Sequence, residues 1–295
     1  MAKDTFFNQK RFLNCSGRLL DLSVPNVMGI LNITGDSFYD GGRYTDERKM
    51  LHHAEEMINA GAGIIDIGGQ STRPGSKRID AKTETERVIP ALKNLKKNFP
   101  ETIFSVDTYH SSVAEEAIGA GASIINDISG GTIDARMFEV VAKHNVPYVL
   151  MHIQGVPETM QKSPAYENIT DEVMNFFSKK ISELHALGVH DIIIDPGFGF
   201  GKTLEHNYTL LKNLSLLKFF ELPVLCGLSR KSMVGKLLNV TDEDSLNGTT
   251  ALNTIALMKR ANILRVHDVK EAMEVIKIVT SLQQFISLSE LPTPS

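Results

Sequence analysis

Short apolar runs alternate with segments of helical periodicity along most of this chain. The runs rich in Val, Ile and Leu predict eight strands, at 27–33, 64–67, 103–106, 123–126, 147–151, 191–194, 224–226 and 263–266. Each run is continuous in apolar character rather than strictly alternating, as expected of parallel strands that are covered on both faces. Apolar residues spaced three or four apart predict the helices, at 46–60, 84–99, 110–120, 134–145, 168–187, 205–219, 230–239, 245–261 and 269–288.

Eight β-α units in one uninterrupted chain of 295 residues favour an α/β fold, a closed (β/α)8 TIM barrel in a single domain. An open doubly wound sheet is the alternative, but the first predicted strand lacks the glycine-rich turn that usually follows it there. Two short strands around Ser16-Gly17 predict an N-terminal β-hairpin. We expect a flexible N-terminus over 1–10, the barrel over 11–288 and a flexible tail over 289–295.

Composition excludes several classes of protein. The net charge of −4 indicates no basic surface for nucleic acid. Cys15 and Cys226 lie far apart, which suits a reducing compartment and argues against a thiolate metal site. No apolar run has the length of a signal peptide or of a membrane span. These features predict a soluble, cytoplasmic protein with no membrane partner.

The stretch from Ile192 to Thr203 resembles a phosphate-binding nucleotide loop at first sight, since it ends in Gly-Lys-Thr. That loop requires a glycine where this chain has Pro196. The glycine spacing also fails the dinucleotide pattern, because position 202 is lysine. We therefore interpret the stretch as a strand ending at a carboxylate, Asp195, with Lys202 as a solvated, peripheral side chain.

Polar side chains occur where the predicted strands end. They include Asn32, Asp107, Asn126, Asp127, His152, Asp195, Arg265, His267 and Asp268. In a barrel all of these ends converge on one face, where the βα loops build active sites. A capping or turn-forming role is as good an explanation as a functional one for Asp127, His152 and Asp268.

The rim offers groups for a planar heterocycle and for an anion. Asp107, Asn126 and Asp195 can exchange hydrogen bonds with a ring that has amino and carbonyl edges. Cations suit phosphate or carboxylate oxygens, and the candidates are Arg73, Lys231, Arg265 and His267. Ser232, with backbone N–H groups at the start of a helix, adds an anion site.

Two phenylalanines lie on glycine-rich loops beside these groups. Phe38 and Phe200 could sandwich an aromatic ring, or they could anchor their loops by burial.

Seven motifs in order, each at a strand end, carry a resemblance to a known family. They are 29–38 (GILNITGDSF) with 40–42 (DGG), 71–75 (STRPG), 105–108 (SVDT), 125–127 (IND), 195–202 (DPGFGFGK), 229–232 (SRKS) and 265–269 (RVHDV). Over about residues 10–285 the chain resembles the dihydropteroate synthase family. The resemblance implies a transferase that joins 6-hydroxymethyl-7,8-dihydropterin diphosphate to 4-aminobenzoate. It also implies a barrel fold, a homodimer, Mg²⁺ and competition by sulfonamides for the 4-aminobenzoate pocket.

The resemblance also implies roles for single residues. Asn32 would ligate Mg²⁺, whose other ligands would be diphosphate oxygens and water. The pterin would be held by Asp107, Asn126, Asp195 and Lys231. The diphosphate would be held by Arg265, His267 and Asn32, and the aminobenzoate pocket shaped by Thr72, Arg73, Pro74, Phe38, Phe200 and Ser232. Asp107, Lys231 and Arg73 would act in catalysis.

Two positions depart from the family pattern. Gly35 stands where proline is common, which predicts a more flexible first loop when that loop is open. Gln70 stands where an acidic residue is common, and the sequence explains no consequence of that change.

Two other functions compete with this interpretation. A pterin-dependent methyltransferase on a related barrel would share the pterin-facing residues. It would not need the 71–75 motif or the pairing of Arg265 with His267, and both are present. A catalytically silent pterin-binding partner subunit would be favoured by loss of Asp107, Lys231 or Arg73, and all three are intact.

Overall fold

The structure, a computed structural model, describes residues 10–33, 43–70, 78–156, 160 and 164–289. The strands are β1 Phe12–Cys15, β2 Arg18–Asp21, β3 Asn26–Asn32, β4 Ile64–Gly68, β5 Ile103–Asp107, β6 Ile124–Asp127, β7 Tyr148–Met151, β8 Ile192–Asp195, β9 Leu225–Cys226 and β10 Ile263–Val266. The α-helices are α1 Arg43–Asn59, α2 Ala81–Asn98, α3 Ser111–Ala120, α4 Met137–His144, α5 Ile169–Ala186, α6 Leu204–Asn213, α7 Ser232–Leu238, α8 Leu246–Met258 and α9 Val269–Ser289.

The strands from β3 to β10 form one parallel sheet in the order β8-β7-β6-β5-β4-β3-β10-β9. The sheet closes on itself through an isolated parallel bridge between Ile194, in β8, and Val224, just before β9. The backbone N–H of Ile194 donates to the Pro223 carbonyl at 2.9 Å across this seam. With helices between successive strands, the prediction of a (β/α)8 barrel is confirmed.

An apolar layer fills the barrel near the amino ends of its strands. Each barrel strand contributes one buried side chain to it, and these are Met28, Ile64, Ile103, Ile124, Val149, Ile193, Leu225 and Ile263. β1 and β2 pair as an antiparallel hairpin, as predicted, and the hairpin adds four side chains to the same cluster, namely Leu13, Cys15, Leu20 and Leu22. The hairpin therefore closes this end of the barrel.

The larger apolar cluster lies between the barrel wall and the helices. Side chains that alternate with the inward-facing ones point outward, such as Ile65, Phe104 and Ile125, and pack against helix residues. This two-sided burial explains why the strands are apolar at nearly every position. None of the helices in the described ranges combines the length and the hydropathy that a membrane span requires.

Two predicted helices differ from the observed ones. The segment predicted at 205–219 is α6 followed by a 3-10 helix, Leu214–Phe220, which ends at Glu221 in a left-handed conformation with φ 58°. The segment predicted at 245–261 ends earlier, at Met258, and Arg260 has φ 76°. Apolar periodicity does not report such left-handed residues, which stop a helix before its apolar pattern ends.

Candidate active site

A polar layer lies directly above the apolar layer of the barrel. Successive inward-facing side chains in a strand are two residues apart, so the apolar Ile64 of β4 is followed by Asp66. By the same step the inward-facing residues of the next layer include Asn126, Asp195 and Arg265. Asp107, the last residue of β5, stands one step higher. The site is therefore built by strand pleating from five different strands.

Arg265 joins three of these residues into one network. Its Nε donates to Oδ2 of Asp66, and its Nη2 donates to Oδ2 of Asp107, each at 2.7 Å. Asn126 Nδ2 donates to the same Asp66 oxygen at 2.9 Å. Asp66, Asp107 and Asn126 are all buried. Since buried charges need partners, this cation stabilises two carboxylates that would otherwise repel each other.

Asp107 is set up to titrate near neutrality. Burial raises its pKa to about 7, and the guanidinium of Arg265 opposes that rise. Asp66, Asp127 and Asp195 raise it further by charge repulsion. A buried carboxyl group whose pKa is shifted this far is a candidate for a role in the reaction.

Asp195 and Lys231 form the other side of the site. The Asp195 carboxylate accepts a hydrogen bond from the Gly197 N–H at 2.7 Å. Burial raises the pKa of Asp195, and Lys231 is the first charge that opposes the shift. Burial lowers the pKa of Lys231 to about 8, with Asp195 opposing. The two residues thus stabilise each other's charged forms.

Lys231 is held by the loop between β8 and α6. Its Nζ donates to the carbonyl of Phe198 and lies 4.7 Å from the centre of the Phe200 ring. Phe200 is nearly buried and packs with Tyr109, Met151 and other apolar residues. The ring therefore serves both as a loop anchor and as a face beside the ammonium.

Three more predicted residues lie at the same rim. His267 follows β10, and its Nδ1 is 3.1 Å from Oγ of Ser229. Asn32 is the exposed last residue of β3, and Ser232 is the exposed first residue of α7. Phe38, Thr72, Arg73 and Pro74 lie outside the described residues.

The prediction that Lys202 is solvated is wrong. Its side chain is buried, and Nζ donates to the carbonyls of Gly197, Phe200 and His152 at 2.9, 3.0 and 3.2 Å. Burial lowers its pKa to about 7, and Asp195 opposes the shift. The loop folds back over its own lysine, a tertiary arrangement that spacing in the sequence does not encode.

The three residues of ambiguous role have structural partners. Asp127 accepts hydrogen bonds from the Ser129 N–H, the Gly131 N–H and the Tyr148 hydroxyl. His152 contacts Lys202, and Asp268 forms an ion pair with Arg230.

Asp66 was missed, although a signal was present. A charged residue stands inside an otherwise apolar strand, between Ile65 and Ile67. Glu84 was also missed. It is buried in α2 and accepts a hydrogen bond from Thr108, the residue after Asp107, at 3.0 Å. Burial raises the pKa of Glu84 to about 8.

The described residues contain no group of three or more His, Cys, Asp or Glu side chains placed to hold a metal ion. The metal candidate at the rim is instead the amide oxygen of Asn32, a hard ligand of the kind that Mg²⁺ takes. One protein ligand suits an ion whose other ligands are substrate phosphate and water. The described rim residues therefore fit Mg²⁺ only as an ion held by Asn32, substrate phosphate and water.

A TIM barrel with a polar network at the carboxyl ends of its strands has the architecture of a barrel enzyme. Comparison with known proteins identifies the family. The family model described as "Pterin binding enzyme" matches residues 28–267. The dihydropteroate synthase of Escherichia coli (strain K12) is 46% identical over 269 residues, covering 90% of this chain and 95% of that protein.

Solved structures agree. A dihydropteroate synthase of Yersinia pestis with a sulfonamide drug complex has a TM-score of 0.86 and 46% identity, over 92% of this chain and 99% of that one. That of Xanthomonas albilineans with 4-aminobenzoic acid has a TM-score of 0.85 and 36% identity, over 96% and 99%. The chain belongs to the dihydropteroate synthase family of pterin-binding enzymes, which are transferases.

Proposed function

We propose that this protein condenses 6-hydroxymethyl-7,8-dihydropterin diphosphate with 4-aminobenzoate to give 7,8-dihydropteroate and diphosphate. The observation that carries the proposal is the buried network of Asp66, Asp107, Asn126 and Arg265 facing Asp195 and Lys231 at one rim. Family membership and the 4-aminobenzoic acid complex of the Xanthomonas albilineans relative support the same reaction.

The pterin ring matches the polarity of this rim. Its amino group and ring N–H groups are donors, which the carboxylate of Asp195 would accept. Its carbonyl oxygen and ring nitrogens are acceptors, which Lys231 would reach, and the amide of Asn126 offers both kinds of group. Polar groups that are already buried discriminate strongly, because a ring without matching edges would leave them unpaired.

The diphosphate would be held by Arg265 and His267 together with Asn32. The two bonds from Arg265 to Asp66 and Asp107 use two of its five N–H groups, so the same side chain can connect the anion to the ring pocket. Mg²⁺ bound through Asn32 would neutralise part of the diphosphate charge.

The chemistry follows from charge placement. The bond between the pterin methylene carbon and the diphosphate oxygen breaks, and the electron pair leaves with diphosphate. Positive charge then develops on the methylene and the ring, where the Asp107 carboxylate stabilises it. The amine of 4-aminobenzoate forms the new C–N bond and loses a proton. No covalent bond to the enzyme is required.

The aminobenzoate pocket would be formed by Phe200 and Ser232 with Phe38, Thr72, Arg73 and Pro74. Phe200 is already placed beside Lys231, so the second substrate would enter next to the pterin site. Sulfonamides resemble 4-aminobenzoate and should compete for this pocket. The sulfonamide complex of the Yersinia pestis relative supports that expectation.

One assay tests the proposal. Protein, Mg²⁺, pterin diphosphate and 4-aminobenzoate are mixed, and dihydropteroate and diphosphate are measured together. We expect equal amounts of both. Folded protein that yields neither product refutes the proposal and favours a silent pterin-binding subunit. Transfer of a methyl group from a methylated pterin would favour the methyltransferase.

We further propose that the protein is a cytoplasmic homodimer. Cys15 and Cys226 are both unpaired and buried, as suits a reducing compartment. Helices α7, α8 and α9 carry large exposed apolar side chains, namely Leu237, Leu238, Ile255, Met258, Ile278 and Leu282. Such a surface is typical of an interface. Ile255→Lys should lower the mass measured by sedimentation equilibrium, while Leu19→Lys on the hairpin should not.

A further inference from the structure

The β8–α6 loop, residues 196–203, has its backbone carbonyls held by side chains from several elements. Lys231 Nζ donates a hydrogen bond to the Phe198 carbonyl. The Tyr166 hydroxyl donates to the Gly201 carbonyl at 2.8 Å. Asn207 Nδ2 donates to the Thr203 carbonyl at 2.6 Å. The carbonyls of Gly197 and Phe200 are both taken by Lys202.

The loop can present its carbonyls this way because its glycines are left-handed. Gly197, Gly199 and Gly201 have φ values of 68°, 81° and 61°. A Cβ on Gly197 would lie 1.9 Å from the His152 carbonyl oxygen, so the loop packs directly on the segment after β7. Lys202 links the loop to the segment after β7, since its Nζ also donates to the His152 carbonyl at 3.2 Å.

His152 completes the surroundings of the ammonium. Its Nδ1 lies 3.0 Å from Lys202 Nζ, and its ring packs edge-on against Phe176 with centres 5.0 Å apart. Burial, and then Lys202, lower the His152 pKa to about 2, so the ring is neutral and adds no positive charge beside the ammonium. Lys202 thus has acceptors on both the loop and the barrel.

We infer that Lys202 is a positioning residue that holds this loop in the shape in which Phe198 and Phe200 contact Lys231. Its ammonium donates to the carbonyls of Gly197 and Phe200, which lie on either side of Phe198 in the chain. The same ammonium also contacts His152 of the barrel. Lys202 acts indirectly, through the position of the Phe200 ring and of the Phe198 carbonyl that orients Lys231. This inference rests on the proposed function for its kinetic readout.

The test compares Lys202→Met with Lys212→Met, which removes an exposed lysine from α6, the next helix. Lys202→Met keeps the aliphatic stem and removes the ammonium. We expect kcat/KM to fall about 100-fold, the scale for misplacing groups by about 1 Å, with KM rising for 4-aminobenzoate. Lys212→Met should match wild type. Unchanged KM values in Lys202→Met, with only a lower melting temperature, would overturn the inference.

Two further variants keep the inference testable if Lys202→Met does not fold. Lys202→Gln keeps two N–H donors, so it should fold, but its side chain is one atom shorter and cannot bond all three carbonyls. We therefore expect a raised KM for 4-aminobenzoate, and wild-type KM values would refute the positioning role. Lys202→Ala should regain activity with added propylammonium but not with propanol, and equal effects of the two would also refute it. Wild-type protein that forms no dihydropteroate refutes the proposed function instead, which separates the two failures.

Discussion

Asp107 and Lys231 lie at the same rim, and removal from solvent moves their pKa values toward neutrality from opposite sides. The pKa of Asp107 is raised to about 7 and that of Lys231 is lowered to about 8. The carboxylate is needed ionised to stabilise a cation, and the ammonium is needed protonated to donate. These requirements are met together in a narrow range of pH.

The pH profile of kcat/KM should therefore be bell-shaped. Activity should rise as the pH increases through about 7, because Asp107 ionises, and fall above about 8, because Lys231 loses its proton. Lys231→Arg keeps a positive charge at all these pH values, so the residual activity should lose its basic limb and keep its acidic one. A basic limb that persists in this variant would assign it to another group.

Single substitutions should separate these roles from stability. Lys231→Ala and Asp107→Ala should each lower kcat/KM at least about 100-fold, the scale for losing a key electrostatic contact. Lys236→Ala, an exposed lysine in α7, is the matched control and should leave the kinetics unchanged. Initial rates near the wild-type value in either active-site variant would contradict its assigned role.

Most of these site residues could be predicted from the sequence, because side chains two apart along a strand lie on the same face. Asn126, Asp195 and Arg265 follow apolar inward-facing residues at a spacing of two, so their convergence follows from the fold. The pairing of Arg265 with Asp66 and Asp107 was not predictable, because it depends on which side chains reach one another across the barrel. The prediction for Lys202 was wrong for the same reason.

At the scale of elements, the β8–α6 loop depends on glycine. Gly197 has φ 68°, and a side chain there would collide first with a backbone carbonyl. The glycine motif predicts that the backbone of this loop closely approaches another group. It does not identify the nearest neighbour as the His152 carbonyl.

Gly197→Ala should destabilise the protein by more than about 2 kcal/mol, since left-handed φ alone costs roughly 1–2 kcal/mol in a residue with a Cβ. Gly119→Ala is the control, because Gly119 is in α3 and a Cβ added there would have no neighbouring atom within 4 Å. It should stabilise by about 0.5–1 kcal/mol. Urea denaturation measures both, and equal midpoints would contradict the geometry.

At the scale of the whole molecule, the barrel has one end for stability and one for chemistry. The hairpin and the apolar layer close the amino end, and the polar network occupies the carboxyl end. The number of barrel strands could be predicted from the apolar runs, and their order followed once the barrel was preferred to an open sheet. That the hairpin caps the barrel could not, because its pattern shows two short strands and not what they cover.

Leu13→Ala in the hairpin should therefore affect folding and not catalysis. Leu13 is fully buried, and truncating such a residue costs about 2–5 kcal/mol. Leu19→Ala, at a residue that is 68% exposed, should cost little. Thermal unfolding and steady-state kinetics check this, and a large change of KM in Leu13→Ala would show that the two ends are coupled.

The seam that closes the barrel also divides the binding site. β8 and β9 meet through an isolated bridge, whereas β3 and β4 are paired over five positions. Asp195 follows the seam on one side and Lys231 on the other. Backbone amides near this seam, such as that of Ile194, should exchange with deuterated solvent sooner than those of β4. A pterin bound to both residues would act as a clamp across the seam and slow that exchange.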